Sequence, residues 1–265
     1  MKCIVCESGS EKYFDKTYFE SPVNINLKVS YRKCTKCGFV FSETHQTMPK
    51  NEWEELNDKF HHGIEQKQQN RLFNQPPYID IALALHVLHD NGVISLNKAL
   101  DYAAGYGTLA NVLQKYFSHK ISVYDEFISA DVVYKNEGLL SDKYETVINT
   151  AMFEHVTNRT SLDRVAALVK ENGSLIIHTF VSENIPCDPN WFYLEPIVHC
   201  AFFTNHSMRL LMEQWGFSCS IYIPKAKIWI LFSNSDDIRQ KVEKINNDFQ
   251  EEYIVYSDYF CDYWK

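Results

Sequence analysis

The stretch Lys98-Ala-Leu-Asp101-Tyr-Ala103-Ala-Gly105-Tyr-Gly107-Thr-Leu-Ala110 decides the fold. A short apolar run ends in an acid, small residues and glycines follow, and Leu109–Phe117 then takes helical spacing: strand, tight turn, helix. The same alternation extends outward in both directions. A helix is expected over Ile79–Asp90, stopped by Asn91-Gly92. Strands are expected over Lys98–Asp101, Ile121–Asp125, Thr146–Thr150 and Ser174–Phe180, helices over Ser161–Lys170 and Ser207–Trp215, and paired late strands over Ile221–Ile223 and Ile228–Phe232. This order predicts a doubly wound α/β domain on a mostly parallel sheet, with ligands bound at the carboxyl edge of the strands.

Two cofactor types compete for the glycine turn. Gly105-x-Gly107-x-x-Ala110, with Asp125 20 residues after Gly105, satisfies the dinucleotide pattern literally. Asp101 argues against a phosphate, because a carboxylate four residues before the first glycine would face a bound pyrophosphate. S-adenosylmethionine carries an ammonium and a sulfonium and no phosphate, so an acid there attracts it. Asp125 at the end of the second strand is expected to accept from ribose hydroxyls, with Glu126 and Phe127 beside it.

Four of the eight cysteines lie in the first 37 residues, as Cys3-x-x-Cys6 and Cys34-x-x-Cys37. Two such turns can aim four thiolates at one tetrahedral ion, and four thiolates close the shell, so a structural zinc is expected. A redox dithiol needs no second pair, and a disulfide framework suits a secreted chain better. The division expected is a zinc ribbon over residues 1–45, a polar helical linker and possible lid over 46–78, a catalytic domain over 79–235 and a C-terminal helix over 236–265. In that last segment Val242, Ile245, Phe249, Tyr253, Tyr256, Phe260 and Tyr263 form one helical stripe, packed on the protein's own sheet or forming a homodimer seam. His61-His62 reads as solvated surface.

The turn, with Asp101 ahead of Ala103, Gly105 and Gly107, resembles the first motif of class I S-adenosylmethionine-dependent methyltransferases, with Ala103 where that family has a glycine. Asn149-Thr-Ala-Met-Phe-Glu154-His155-Val156 is similar to the family's fourth motif. The resemblance covers about residues 79–232 and implies a seven-stranded sheet, with Asn149 among the cofactor contacts. Joined to a four-Cys module, the pattern is similar to bacterial methyltransferases acting on deoxysugars and surface-polysaccharide (capsule) precursors. It implies O-methylation of a hydroxyl on a small sugar-like substrate, with C- or N-methylation and a non-catalytic cofactor-binding scaffold as alternatives.

A methyl transfer to a hydroxyl needs a base at the sheet's carboxyl edge. His155 follows the fourth strand and is one candidate, the alternative being a loop hydrogen bond at a helix start; Glu154 could orient a ring or bind substrate. In the resembling sugar methyltransferases a His in the segment of His199 faces the active site; otherwise His199 reads as a core residue. His178 reads as packed. Trp191, Phe192 and Tyr193 suit sugar stacking or the lid's own packing. Arg71, Asn74 and Tyr78 precede the first helix, where Arg71 or Tyr78 could meet the cofactor's carboxylate.

Composition narrows the remainder. With 26 Lys+Arg against 34 Asp+Glu, the formal charge of −8 disfavours a nucleic-acid partner. No apolar run is long enough for a membrane span and no signal-peptide core opens the chain, so a cytoplasmic location is expected.

Overall fold

In the computed structural model, residues 1–20, 25–60, 76–127, 136–150 and 152–262 are described. Arg71, Asn74, His61, His62 and Tyr263 lie outside them. In chain order the elements begin with β1 (Ser10–Glu20), β2 (Ile25–Cys34) and β3 (Val40–Ser42), then α1 (Glu43–Thr47), α2 (Lys50–Asp58) and α3 (Tyr78–Asp90). The glycine turn lies between β4 (Ala99–Tyr102) and α4 (Thr108–Phe117), followed by β5 (Ser122–Tyr124), β6 (Tyr144–Thr150), α5 (Arg159–Ala167) and β7 (Val169–His178). The chain ends with β8 (Val181–Ser182), β9 (Ala201–Thr204), α6 (Asn205–Gln214), β10 (Cys219–Ile223), β11 (Ile228–Phe232), α7 (Ile238–Phe249) and β12 (Val255–Ser257).

The larger sheet has seven strands in the order β12-β10-β11-β7-β6-β4-β5. Strands β5, β4, β6 and β7 are parallel, whereas β7–β11, β11–β10 and β10–β12 are antiparallel. The expected mostly parallel sheet is therefore half mixed. The cause is local: only Pro224-Lys-Ala-Lys227 separates β10 from β11, and a parallel return needs a crossover of a dozen or more residues.

The C-terminal stripe is not one helix. Gln250 adopts a left-handed conformation (φ 56°) that ends α7. Asn246 then fixes the reversal, donating to the Ile254 carbonyl at 2.8 Å and accepting from its N–H at 2.9 Å, and β12 returns onto the sheet. Val242, Ile245, Tyr253 and Phe260 are buried in the protein's own core, so these faces are not available to a second copy.

The four-Cys segment does not stand as a separate ribbon. Its hairpin β1–β2 and strand β3 continue into β9 and β8, giving a five-stranded sheet ordered β1-β2-β3-β9-β8. Strand β3 is buried at all three positions and would be an unpaired apolar edge without β9. Phe39 and Phe41 stack at 5.8 Å and Phe39 meets Phe203 at 5.0 Å. Cys3, Val5 and these rings share one core with Leu162 and Val165 of α5 and Met208 and Leu211 of α6. A second core, built on α3, α4 and α7, covers the sheet's other face. Among the described residues no helix is long and apolar enough to cross a membrane.

Candidate active site

The glycine turn is shaped by backbone conformations that side chains oppose. Ala103, Gly105 and Gly107 all have positive φ (60°, 54° and 68°). A Cβ added at Gly105 would meet nothing within 4 Å, so that glycine borders open space and its role is backbone freedom and room for a ligand. The N–H groups are spent internally: Ala104 donates to the Tyr124 carbonyl at 3.1 Å, Gly107 to the Ala104 carbonyl at 2.9 Å, and Gly105 to Asp125 Oδ2 at 2.8 Å. A pyrophosphate would find these three donors already taken.

Asp125, placed by the sequence as a ribose acceptor, thus clamps the loop, with Oδ1 accepting from the Phe127 N–H at 2.8 Å. Asp101 is 1% exposed and its Oδ1 has no hydrogen-bond partner among the described residues. Burial, reinforced by the Asp125 charge, pushes its carboxyl up to about 8. A buried carboxylate oxygen without a partner among the described residues at the base of this loop fits a cationic ligand group, as an ammonium supplies. Asn149 donates to the Tyr102 carbonyl at 2.9 Å and leaves Oδ1 buried without a partner among the described residues. Tyr78 opens α3 and packs, partly buried, against the second core.

A cavity of about 350 Å³ opens between this edge and α1–α2. Tyr102, Ala103, Tyr124, Glu126, Phe127, Met152, His155 and Arg164 form one side; His45, Gln46, Trp53 and Asn57 form the other. The segment read as a linker is therefore a wall of the site. Ser42 caps α1 by accepting from the His45 N–H at 3.1 Å and holds the imidazole through Nδ1 at 2.6 Å. That leaves His45 Nε2 and the neighbouring Gln46 Nε2 buried without partners among the described residues. Trp53 meets the His45 ring edge-on at 5.2 Å. Burial lowers His45 to about 4, so it is a neutral ring. An adjoining space of about 400 Å³ is rimmed by Glu54, Asp58, Glu126 and Glu137.

Glu154, His155 and His199 come together, their ligand atoms within 4.8 Å of one another. Glu154 is buried, and its carboxylate accepts from Thr179 at 2.9 Å and from the Tyr193 hydroxyl at 3.0 Å. Burial raises it to about 6. His199 does not line the cavity; its Nδ1 donates to the Tyr193 carbonyl at 2.7 Å, and its ring stands edge-on to His155 at 5.0 Å. Glu154 thereby positions Tyr193, which positions His199 behind His155. Trp191 and Tyr193 pack with Phe180 and Phe202, and Phe192 is exposed, so this segment spends its aromatics on itself. Sequence reasoning missed His45, Gln46 and Trp53; the Ser42 cap before α1 was the available signal.

The four cysteines converge. Cys3 and Cys37 Sγ are 3.7 Å apart, Cys6 and Cys34 3.4 Å, and Cys6 and Cys37 3.6 Å. Around a tetrahedral ion with bonds of about 2.3 Å, sulfurs lie about 3.8 Å apart. Backbone N–H groups of Val5, Lys36 and Cys37 point at the sulfurs, as thiolates require. The cluster is sealed by Thr204, whose hydroxyl donates to the Cys37 carbonyl at 2.6 Å.

A strand–glycine turn–helix edge with a buried carboxylate oxygen unpartnered among the described residues and a cavity above it fits a small-molecule site at the carboxyl edge of an α/β sheet. Residues 81–220 match the sequence model of the family described as methyltransferase domain. The chain belongs to that family and is an S-adenosylmethionine-dependent methyltransferase. No curated protein matches it. Among solved structures it is similar to the plantazolicin methyltransferase BpumL, solved with a monoazolic desmethylPZN analog and SAH (10% identity, 80% of this chain and 97% of that one, TM-score 0.44). Streptomyces venezuelae DesVI is 12% identical over 68% of this chain and 98% of that one, with a TM-score of 0.40. A candidate O-methyltransferase of Nostoc punctiforme PCC 73102 is 14% identical over 59% of this chain, which spans 60% of that protein, with a TM-score of 0.39.

Proposed function

We propose that the enzyme O-methylates a hydroxyl of a small sugar-like acceptor in the cytoplasm, in the assembly of a surface polysaccharide or a deoxysugar, with its N-terminal sheet held by one structural zinc on Cys3, Cys6, Cys34 and Cys37. The observation that carries the acceptor reading is the cavity wall opposite His155. His45 Nε2 and Gln46 Nε2 are buried polar atoms without partners among the described residues, and Trp53 lines the same wall. Leaving such atoms unpaired costs about 1–3 kcal/mol each, which a polyol's hydroxyls would recover while its C–H face lies on the indole.

S-adenosylmethionine, when bound, supplies an electrophilic methyl group. Asp101 would hold the cofactor's cationic end, Gly105 leaves room for it, and Asp125 keeps the loop in shape. His155 takes the acceptor's proton as the bond forms, and His199 fixes the ring's orientation from behind. The four acids around the cavity, Glu54, Asp58, Glu126 and Glu137, outnumber Lys50 and Arg164, which favours an uncharged or amine-bearing sugar over a phosphorylated one.

The test is transfer of labelled methyl from S-adenosylmethionine to a panel of free sugars, amino sugars, nucleotide-linked sugars and phenols. Label in the saccharide hydroxyls, preferentially of unphosphorylated members, is the expected result. Label confined to phenols, or to carbon or nitrogen positions, overturns the acceptor reading.

A further inference from the structure

Three metal-ligating side chains meet on the opposite face of the sheet, far in the fold from the cysteine cluster. His86 and Asp90 are four residues apart on α3 and so share a face of that helix. His119 follows α4, whose end is turned by Ser118 in a left-handed conformation (φ 60°) and closed by the His119 N–H donating to the Leu113 carbonyl at 3.2 Å. That turn brings His119 Nε2 to 3.1 Å from His86 Nδ1, while His86 Nδ1 lies 3.4 Å from Asp90 Oδ1. All three ligand atoms lie within 4.8 Å of one another.

These separations are those of one coordination shell. Zinc binds imidazole nitrogen and carboxylate oxygen at about 2.0–2.2 Å, which puts tetrahedral neighbours about 3.3–3.5 Å apart. The rings are also held in place: His86 packs on Phe117 with centroids 4.7 Å apart, and His89 meets His119 edge-on at 4.8 Å. His86 and Asp90 side chains are 31% and 56% exposed, so an ion can reach the group from solvent.

We propose that His86, Asp90 and His119 form a second metal site that takes a divalent transition ion of the zinc, cobalt or nickel kind, with water in the remaining position. Two imidazoles and one carboxylate select such ions over magnesium and calcium, which prefer all-oxygen shells. Three protein ligands leave the fourth position open, unlike the closed four-thiolate shell. The bound ion ties α3 to the end of α4, the helix whose first turn continues from Gly107, and so braces the helix that carries the cofactor loop.

The full-length protein, loaded with one equivalent of zinc per chain for the cysteines and stripped of more weakly held metal by brief dialysis against a mild chelator, is titrated with cobalt(II) alone. Wild-type protein is expected to take up one equivalent, giving visible d–d absorption without the near-ultraviolet thiolate-to-cobalt band that marks exchange at the cysteines. His119→Ala and Asp90→Asn should each weaken this uptake at least about tenfold while metal-free thermal stability and S-adenosylmethionine affinity stay unchanged. A His61→Ala/His62→Ala variant should bind cobalt as wild type does. No cobalt uptake, uptake only with the thiolate band, or equal uptake by wild type and His119→Ala would overturn the proposal, as would loss of uptake in the His61/His62 variant with retention in His119→Ala.

Discussion

The Asp125 carboxylate accepts from the Gly105 N–H at 2.8 Å, joining the end of β5 to the glycine turn after β4. Its other oxygen takes the Phe127 N–H. Hydrogen bonds to an ionised acceptor are worth about 1.5–3 kcal/mol each, so Asp125 supports the loop before any ligand arrives. Asp125→Ala should lower the midpoint of thermal unfolding of the ligand-free protein by several degrees and weaken cofactor binding at least about tenfold. An unchanged midpoint with weakened binding would restrict Asp125 to touching the ligand.

Ala103 sits at φ 60°, a conformation that costs an L-residue about 1–2 kcal/mol and glycine almost nothing. The added flexibility of glycine in the unfolded chain offsets part of that gain. Ala103→Gly is expected to stabilise the protein by about 1 kcal/mol, roughly 2–4 °C, with methyl transfer retained. Calorimetric unfolding showing a lower midpoint would mean that the Ala103 methyl makes packing contacts worth more than the strain.

The imidazoles of the site are expected to separate by role. His155→Ala should reduce kcat by about 10²-fold or more with cofactor affinity within a few-fold, since only His155 of the pair lines the cavity. His199→Ala should cost less, and Glu154→Gln should act in the same direction through Tyr193. On the far wall, His45→Leu should raise KM for the acceptor and leave cofactor affinity unaltered. Steady-state kinetics with both substrates varied distinguishes these cases; equal kcat for wild type and His155→Ala removes it as the base.

Metal removal should reach beyond the cysteines. Because β3 pairs with β9 and α1 follows β3 directly, loosening the cluster also loosens the wall that bears His45 and Trp53. Exhaustive chelation, or Cys37→Ala, is expected to lower thermal stability and to expose Phe39 and Phe41, with a rise in acceptor KM. Metal analysis after mild dialysis should find one zinc retained per chain at the cysteines, and none in a folded, active protein would contradict the structural-zinc reading.

The glycine turn, the order of helices and strands around it and the position of His155 were readable because each depends on residues close together in the chain. The four-Cys cluster was readable from two short spacings. What escaped depends on distant pairing: Val40 opposite Phe202 fuses the N-terminal sheet to the catalytic chain and swings α1–α2 over the cavity. The reversal at Gln250 was hidden because the apolar spacing of α7 continues past it into Tyr253 and Tyr256, although Asn246 has already pinned the chain back. Asp125 was recognised as important, but its bond to the Gly105 N–H was not foreseen, since nothing in the spacing shows that the loop's own N–H would reach it.

Asp101 is expected to hold the cationic end of S-adenosylmethionine. In the ligand-free protein its carboxyl titrates at about 8, above its ordinary 3.8, because burial and the Asp125 charge favour the neutral form. The folded protein therefore binds the extra proton, its stability falls as pH rises from about 4 to 8, and cofactor binding, which needs the carboxylate, must expel that proton. Calorimetric titration with S-adenosylmethionine between pH 6 and 8 should show affinity rising by up to about tenfold per pH unit, with proton release detectable by changing the buffer's ionisation enthalpy. Asp101→Asn should flatten this dependence and weaken binding at least about tenfold at pH 8. Affinity that is independent of pH and equal in wild type and Asp101→Asn would contradict the account.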